Sequence, residues 1–225
     1  MKGKLIVIEG LDGSGKSTQE KLLKDKLSEM GIKVNFIKLP NYDDPACELV
    51  KMYLAGRFGK KAGDVNAYAA SSFFAVDRYV SYNCYWKNKY LNGEIFLADR
   101  YTTSNAYHQL TKTDKKDWDS YLEWLEDFEY VKMGIPKPDA VIYLDMPIEV
   151  SQKLMTGRYN GDESKKDIHE KDVEYLNSCR EAADYACTKL GWHRIKCSCD
   201  GEPLAIETIS DEIFKVVLKE LDITL

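Results

Sequence analysis

Residues 10–17, with the sequence GLDGSGKS, constrain the fold of this chain more than any other segment. They match the pattern G-x-x-x-x-G-K-[ST] without a mismatch. The apolar run at residues 5–8 precedes them and favours a central parallel strand. Apolar residues at helical spacing follow between residues 17 and 30, and Gly31 supplies a stop. A glycine-rich turn between a strand and a helix directs backbone N–H groups at phosphate oxygens, so the segment predicts a phosphate-binding loop.

The side chains of this loop predict how a nucleoside triphosphate is held. Lys16 is expected to reach the β- and γ-phosphates, and the Ser17 hydroxyl is placed to ligate the Mg²⁺ that accompanies ATP. The alternative is a turn that binds nothing, and the pattern does not separate a kinase from a switch or a motor. The predicted ATP-binding residues are Gly10, Leu11, Asp12, Gly13, Ser14, Gly15, Lys16, Ser17 and Thr18.

The order of apolar runs predicts the fold class. Besides residues 5–8, short β-rich runs lie at residues 33–39, 95–99, 140–145 and 192–196. Helical patterns separate them, including predicted helices at 46–55 and 64–91. Strands joined by helix-sized connections imply right-handed crossovers and an α/β fold with a parallel five-stranded sheet flanked by helices. The length of 225 residues suits a single domain spanning residues 1–225.

Charge and composition argue against several classes of protein. The formal net charge of −5 disfavours a nucleic-acid or membrane-surface binder. The longest clean apolar run, residues 140–144, is far below the roughly 20 residues of a membrane helix, and the N-terminus lacks a signal segment, so we expect a cytoplasmic protein. The six cysteines include no CxxC pair and the three histidines lack metal-type spacing, so no zinc site is expected.

Phe74 and Arg78 form an i, i+4 pair and share one face of the predicted helix 64–91. An apolar stripe on that helix predicts a core face roughly opposite to them. A ring and a guanidinium facing away from the core suit base recognition, with stacking by the ring and donation to an exocyclic carbonyl. The alternative is that Phe74 packs under a neighbouring helix while Arg78 lies on the surface. The stripe comprises Val65, Ala69, Phe73, Val76 and Val80.

Asp99 and Arg100 end a strand predicted to lie beside the strand of the phosphate loop, at the rim where such sheets bind ligands. The carboxylate can hold Mg²⁺ through water or orient an acceptor phosphate, and the planar guanidinium suits phosphate oxygens of both substrates. The alternative is a surface ion pair. Asp145 also ends a strand, but Pro147 and Glu149 signal a helix start there and favour a structural role.

The chain resembles the thymidylate kinase family of P-loop nucleoside monophosphate kinases. The resemblance implies phosphoryl transfer from ATP to dTMP, giving dTDP and ADP, and a homodimer packed through long helices. It also implies that the base is thymine and that its O4 accepts a hydrogen bond from Arg78. The matching positions, in order, are Asp12 in the loop, Pro40 after the second strand, Phe74 with Arg78, Asp99-Arg100-Tyr101 with Ser104, and Pro136-Lys137-Pro138-Asp139.

The resemblance also assigns roles to individual residues. Ser104 and Asn105 are expected at the thymine edge, although a helix-start role suits Ser104 nearly as well. The implied catalytic residues are Lys16, Asp99, Arg100 and Arg158, and the implied metal-binding residues are Ser17 and Asp99. The implied dTMP-binding residues are Asp12, Tyr42, Phe74, Arg78, Arg100, Ser104 and Asn105.

Two departures from relatives shape the expected site. Some relatives carry an arginine in the phosphate loop where this chain has Gly13, so the missing charge is expected from Arg158 in a mobile lid at residues 157–167. Relatives often place an arginine after the proline of the second strand, where this chain reads Asn41-Tyr42, and the Tyr42 phenol is expected to contact the acceptor phosphate. His169-Glu170 is a further, weaker match near the metal and acceptor.

Other functions remain open at this stage. A different P-loop kinase, acting on another nucleoside monophosphate or on a deoxynucleoside, would share most of these features. A non-catalytic nucleotide-dependent switch is the second alternative. The chain lacks the Asn-Lys-x-Asp motif of guanine-specific switches, and a switch has no use for acceptor-side residues such as Phe74 and Arg78.

Overall fold

The computed structural model describes residues 2–158 and 173–223. Within them, five parallel strands form one sheet in the order β2-β3-β1-β4-β5. This confirms the predicted α/β class and all five predicted strands. The strands are β1 Leu5–Gly10, β2 Val34–Lys38, β3 Ile95–Asp99, β4 Ala140–Asp145 and β5 His193–Lys196.

Helices cover both faces of this sheet, as parallel strands require. Ile6 and Ile8 of β1 pack with Leu23 and Leu27 of α1 on one face, where α9 also packs. Leu5 and its alternate neighbours face the other side, towards α3 to α6 and α8. The helices are α1 Lys16–Glu29, α2 Glu48–Leu54, α3 Ala67–Ser81, α4 Lys87–Leu91, α5 Thr102–His108, α6 Trp118–Glu126, α7 Ile148–Arg158, α8 Val173–Leu190 and α9 Ile206–Glu220.

The predicted helix 64–91 is interrupted. The α3 helix begins at Ala67, because the Asn66 side chain caps it by accepting from the Ala69 N–H at 2.9 Å. A π-helical turn, Tyr82–Trp86, then separates α3 from α4. Near the C-terminus, a two-stranded antiparallel ribbon of β6 (Ser198–Cys199) and β7 (Glu202–Pro203) leads into α9. None of the helices in the described ranges is long and apolar enough to cross a membrane.

The predicted core face of α3 is wrong. Val76 from that stripe is 41% exposed, whereas Arg78, predicted to face away from the core, is only 3% exposed. The buried side of the helix carries small and charged residues because it packs close to α5 and encloses an ion pair. The spacing of apolar residues identified one face of α3 as apolar, but the elements packed against the helix decide which face is buried. The buried residues are Ala67, Ala70, Ser71, Ala75, Asp77, Arg78 and Ser81.

Asp145 at the end of β4 is held by two arginines. Its Oδ1 lies 3.1 Å from Nη2 of Arg180, and its Oδ2 lies 3.3 Å from Nε of Arg194. Both pairings tie β4 to neighbouring elements, which agrees with the structural role expected for this residue. The carboxyl ends of β1, β2 and β3 instead open onto a cleft.

Candidate active site

A cleft of about 860 Å³ lies at the carboxyl rim of the sheet and contains most of the predicted site residues. Gly10 and Leu11 do not line it, because Gly10 ends β1 and Leu11 is 2% exposed. The predicted residues that line it are Asp12, Gly13, Ser14, Gly15, Lys16, Ser17, Thr18, Tyr42, Phe74, Arg78, Asp99, Arg100, Ser104 and Asn105.

The lid prediction falls largely outside the described part of the chain. Residues 157 and 158 end α7, but residues 159–172 and the Arg158 side chain lie outside what the structure describes. The same holds for His169 and Glu170. The lid at 157–167 and the role of Arg158 therefore stay predictions.

The phosphate loop turns directly from β1 into α1. Gly15 precedes the first residue of α1 with φ 91°, a left-handed conformation that a side chain rarely adopts. Gly10 is required for space as well, because a Cβ there would lie 2.6 Å from the Ser14 hydroxyl oxygen. The loop thereby leaves the N-terminal N–H groups of α1 directed into the cleft, where they suit an anion.

Lys16 lies under the loop, with 9% of its surface exposed. Its Nζ donates to the carbonyl oxygens of Gly10 at 2.9 Å and Leu11 at 3.1 Å, and lies 3.9 Å from Oδ1 of Asp12. Burial, reinforced by the nearby charge of Arg100, lowers the pKa of Lys16 to about 8. Phosphate oxygens beside this ammonium would favour its charged form and raise the pKa again.

Arg100 crosses the cleft from the end of β3 towards the phosphate loop. Its backbone has φ 67°, which turns the side chain out of the strand direction. Its Nη2 donates to Oδ1 of Asp12 at 2.5 Å, while Nη1 lies 3.4 Å from the Tyr107 hydroxyl and 3.3 Å from Nε2 of His108. The guanidinium is thus held between the phosphate loop and α5, in the cleft.

Glu9 is a buried anchor that sequence reasoning missed. It is 0% exposed and accepts hydrogen bonds from the Tyr101 N–H at 3.1 Å, the Thr103 hydroxyl at 2.6 Å, the Ser104 hydroxyl at 2.8 Å and the Tyr107 hydroxyl at 2.7 Å. These contacts fix the start of α5 to β1. The Ser104 hydroxyl lines the cleft but donates to Glu9, so it joins the first turn of α5 to β1 and caps no helix end. An ionisable residue in an otherwise apolar strand was the available signal.

Arg78 forms a buried bidentate ion pair with Glu129, which the sequence did not indicate. Its Nε and Nη2 donate to the carboxylate at 2.6 and 2.5 Å, and Nη1 lies 3.4 Å from the Tyr101 carbonyl oxygen. Glu129 also accepts from the Thr102 hydroxyl at 2.7 Å. Arg78 therefore does not lie on the surface, and its orientation is fixed. Half-buried Phe74 lines the cleft and packs edge-on against another ring.

Asp99 has the features of a residue that supports a metal ion. It is 6% exposed, its Oδ1 has no hydrogen-bond partner among the described residues, and Oδ2 lies 3.8 Å from Nζ of Lys38. Ser17 is exposed and also lines the cleft. Because residues 2–158 and 173–223 contain no cluster of three His, Cys, Asp or Glu residues, phosphate oxygens and water would supply most ligands of an ion here, as Mg²⁺ commonly accepts.

The far end of the cleft has an apolar wall that sequence reasoning did not predict. Gln19 of α1 donates from Nε2 to the Ile206 carbonyl oxygen at 3.0 Å and so joins α1 to the start of α9. The residues that line the cleft divide it into an aromatic end at Phe74, a charged middle at Lys16 and Arg100, and an apolar end. The apolar wall consists of Met146, Leu154, Pro203, Leu204, Ile206 and Ile209.

Comparison with known proteins identifies the family. The family model for thymidylate kinase matches residues 8–203. The chain belongs to the thymidylate kinase family. The match begins in β1 and ends at Pro203, so it includes the phosphate loop and the residues of β3 and α5 that line the cleft.

Curated thymidylate kinases resemble the chain over most of its length. It is 31% identical over 180 residues to a probable thymidylate kinase 1 of Saccharolobus solfataricus, covering 79% of this chain and 84% of that protein. It is 29% identical over 191 residues to the thymidylate kinase of Mycobacterium tuberculosis, covering 84% and 87%. The corresponding values for the thymidylate kinase of Plasmodium falciparum are 29% over 219 residues, covering 97% and 91%.

A solved structure supports the fold assignment. The thymidylate kinase of Candida albicans aligns with a TM-score of 0.70 over 98% of this chain and 93% of that one, at 20% sequence identity. The likeness confirms the predicted α/β architecture of thymidylate kinases. At this identity the likeness extends to the fold alone.

Proposed function

We propose that this protein transfers the γ-phosphoryl group of ATP to dTMP, giving ADP and dTDP. The observation that carries the proposal is a cleft, lined by described residues, that has a charged middle and two ends that suit nucleosides. Lys16 and Arg100 lie in the middle, Phe74 and Arg78 at one end, and the apolar wall near Ile206 at the other. A donor triphosphate and an acceptor monophosphate fit such a cleft with their phosphates facing each other.

The charged middle would perform the transfer mainly by positioning and electrostatics. The N–H groups of the phosphate loop and the Lys16 ammonium would bind the β- and γ-phosphates. Arg100 would bridge the donor and acceptor phosphates. Ser17 and Asp99 would hold Mg²⁺, which neutralises charge on the phosphate oxygens. We propose that the lid at residues 157–167 excludes water and that Arg158 supplies the charge absent at Gly13.

The acceptor end suits a pyrimidine with a carbonyl at position 4. Stacking on Phe74 would contribute about 1–3 kcal/mol. The Arg78 guanidinium has five N–H hydrogens, of which two are directed at Glu129 and one at the Tyr101 carbonyl. One hydrogen on Nη1 and one on Nη2 therefore remain for a ligand. Thymine and uracil present an acceptor at O4, whereas cytosine presents an amino donor. The geometry therefore favours dTMP or dUMP over dCMP.

The exposed face of α3 supports a homodimer. Tyr68, Val76 and Tyr79 are 44%, 41% and 43% exposed and lie on one side of the helix. A face of this kind is typical of a surface covered by another subunit. We propose that two copies pack through α3, as the family resemblance implies, and that the enzyme acts in the cytoplasm. Sedimentation of the Val76→Asp variant should then show monomers.

One assay tests the proposed reaction. The protein with Mg²⁺ and ATP is offered dTMP, dUMP, dCMP, AMP, GMP or free thymidine separately, and ADP release is recorded. We expect dTMP to give the highest kcat/KM and the Lys16→Met variant to give no turnover. Turnover of thymidine without turnover of dTMP would instead indicate the alternative function, a deoxynucleoside kinase.

A further inference from the structure

His108, the last residue of α5, lies between Arg100 and α8. It is 7% exposed, and its two ring nitrogens face different partners. Nε2 lies 3.3 Å from Nη1 of Arg100, while Nδ1 lies 3.4 Å from the Tyr175 hydroxyl and 3.6 Å from Sγ of Cys179. The Tyr175 ring lies nearly parallel to the imidazole, with an angle of 23° between the ring planes and 6.2 Å between the ring centroids. The imidazole therefore connects α8 to the guanidinium in the middle of the cleft.

The hydrogen bonds around His108 are consistent with one tautomer. A guanidinium only donates, so Nε2 must be unprotonated to bond with Arg100. The Tyr175 hydroxyl donates to the His108 carbonyl oxygen at 3.0 Å, and a hydroxyl oxygen can accept while it donates, so a proton on Nδ1 suits the 3.4 Å contact between the two groups. In a neutral ring that accepts through Nε2, the proton lies on Nδ1, on the side of α8.

We propose that His108 is a positioning residue for Arg100, with Nε2 holding one edge of the guanidinium towards the bridging position. The proposal rests on the proposed function, because it gives Arg100 its role between two phosphates. Phosphoryl groups entering the cleft will compete with Asp12 for Nη2 of Arg100, since both are anionic acceptors on that edge. The opposite edge is held by His108 and the Tyr107 hydroxyl, and Tyr107 is itself bound by Glu9 at 2.7 Å.

Two amide substitutions separate positioning from packing. The amide of Gln places an oxygen at about the position of Nε2, whereas the shorter Asn reaches only the position of Nδ1. Both are neutral and similar in polarity. We expect His108→Gln to keep kcat within about threefold of the wild type. We expect His108→Asn to lower kcat about 10- to 100-fold with KM for ATP changed by less than about threefold, since misplacement of a reacting group by about 1 Å can cost 10²-fold.

Thermal unfolding of both variants provides the control for folding. Equal kcat values in the two folded variants, whether high or low, would overturn the proposal. Turnover of dTMP by the wild type is measured in the same experiment, so a failure of the proposed reaction is recognised separately. If another acceptor is used by the wild type, the two variants are compared with that acceptor.

A spectroscopic measurement decides the question if a variant does not fold. Nitrogen-15 NMR of the wild-type imidazoles, assigned by removing His169 and His193 in turn, reports which nitrogen of His108 is protonated. We expect a neutral ring with the proton on Nδ1. A ring protonated on Nε2 cannot accept from Arg100, and that result would exclude the proposed role.

Discussion

Replacing Glu129 by Gln tests whether Arg78 is held by a buried ion pair. The two side chains are 0% and 3% exposed and joined by hydrogen bonds of 2.6 and 2.5 Å. The substitution leaves the Arg78 charge buried without a counter-charge, and breaking such a pair costs about 3–5 kcal/mol. Globular proteins are stable by about 5–15 kcal/mol, so the loss should be a large fraction of the total.

Chemical and thermal unfolding measure this loss. For a chain of this size, 1 kcal/mol corresponds to about 2–4 °C in Tm, so Tm should fall by roughly 6–20 °C. A matched control is Glu126→Gln, which removes the 2.7 Å pair with Lys137 whose side chains are 34% and 61% exposed. An exposed pair contributes about 0–1 kcal/mol. If Glu129→Gln costs no more than this control, the ion pair does not stabilise the fold as argued.

A double substitution separates stability from recognition. Arg78→Met combined with Glu129→Leu removes both charges and should recover much of the lost stability, because a buried ion pair can be replaced by apolar residues at little cost. The same variant should still have a raised KM for dTMP, since the donor to O4 is gone. Recovery of dTMP binding together with stability would show that Arg78 does not contact the base.

Three further predictions concern the two ends and the middle of the cleft. Because the pKa of Lys16 is about 8, the ammonium loses its charge above that pH, so kcat/KM for ATP should fall there. Bound phosphates raise this pKa, so kcat should stay high over the same range. Burial also lowers the pKa of Lys112 to about 8, and Lys112 is excluded as the cause if Lys112→Met keeps the same pH profile. Phe74→Ala should raise KM for dTMP about 5- to 100-fold more than KM for ATP, since about 1–3 kcal/mol of stacking is lost, whereas Phe73→Ala should not. Equal changes in both KM values would place the base elsewhere. Arg158→Ala should lower kcat on the order of 10³-fold with KM for dTMP little changed, and an unaltered kcat would remove that residue from the mechanism.

The sequence determined the features that depend on local pattern. The phosphate loop, the five strands and about half of the residues that line the cleft were predictable, because a strand, a glycine-rich turn and a helix each leave a short-range signature. The order of strands and helices then directed attention to the carboxyl rim. Phe74 and Arg78 were identified in the same way, although the direction they face was not.

The tertiary structure decided which of these side chains are buried and what holds them. Glu9, Glu129 and His108 meet their partners across 92, 51 and 8 residues of chain, and two of them approach residues that no spacing rule connects to them. Burial depends on which element covers a surface, and the sequence does not show this. The apolar pattern therefore predicted a buried Val76 and an outward-facing Arg78, whereas Val76 is exposed and Arg78 is buried. The chain's short-range pattern fixed where phosphates can bind, and long-range packing fixed the orientation of the guanidinium groups that would act on them.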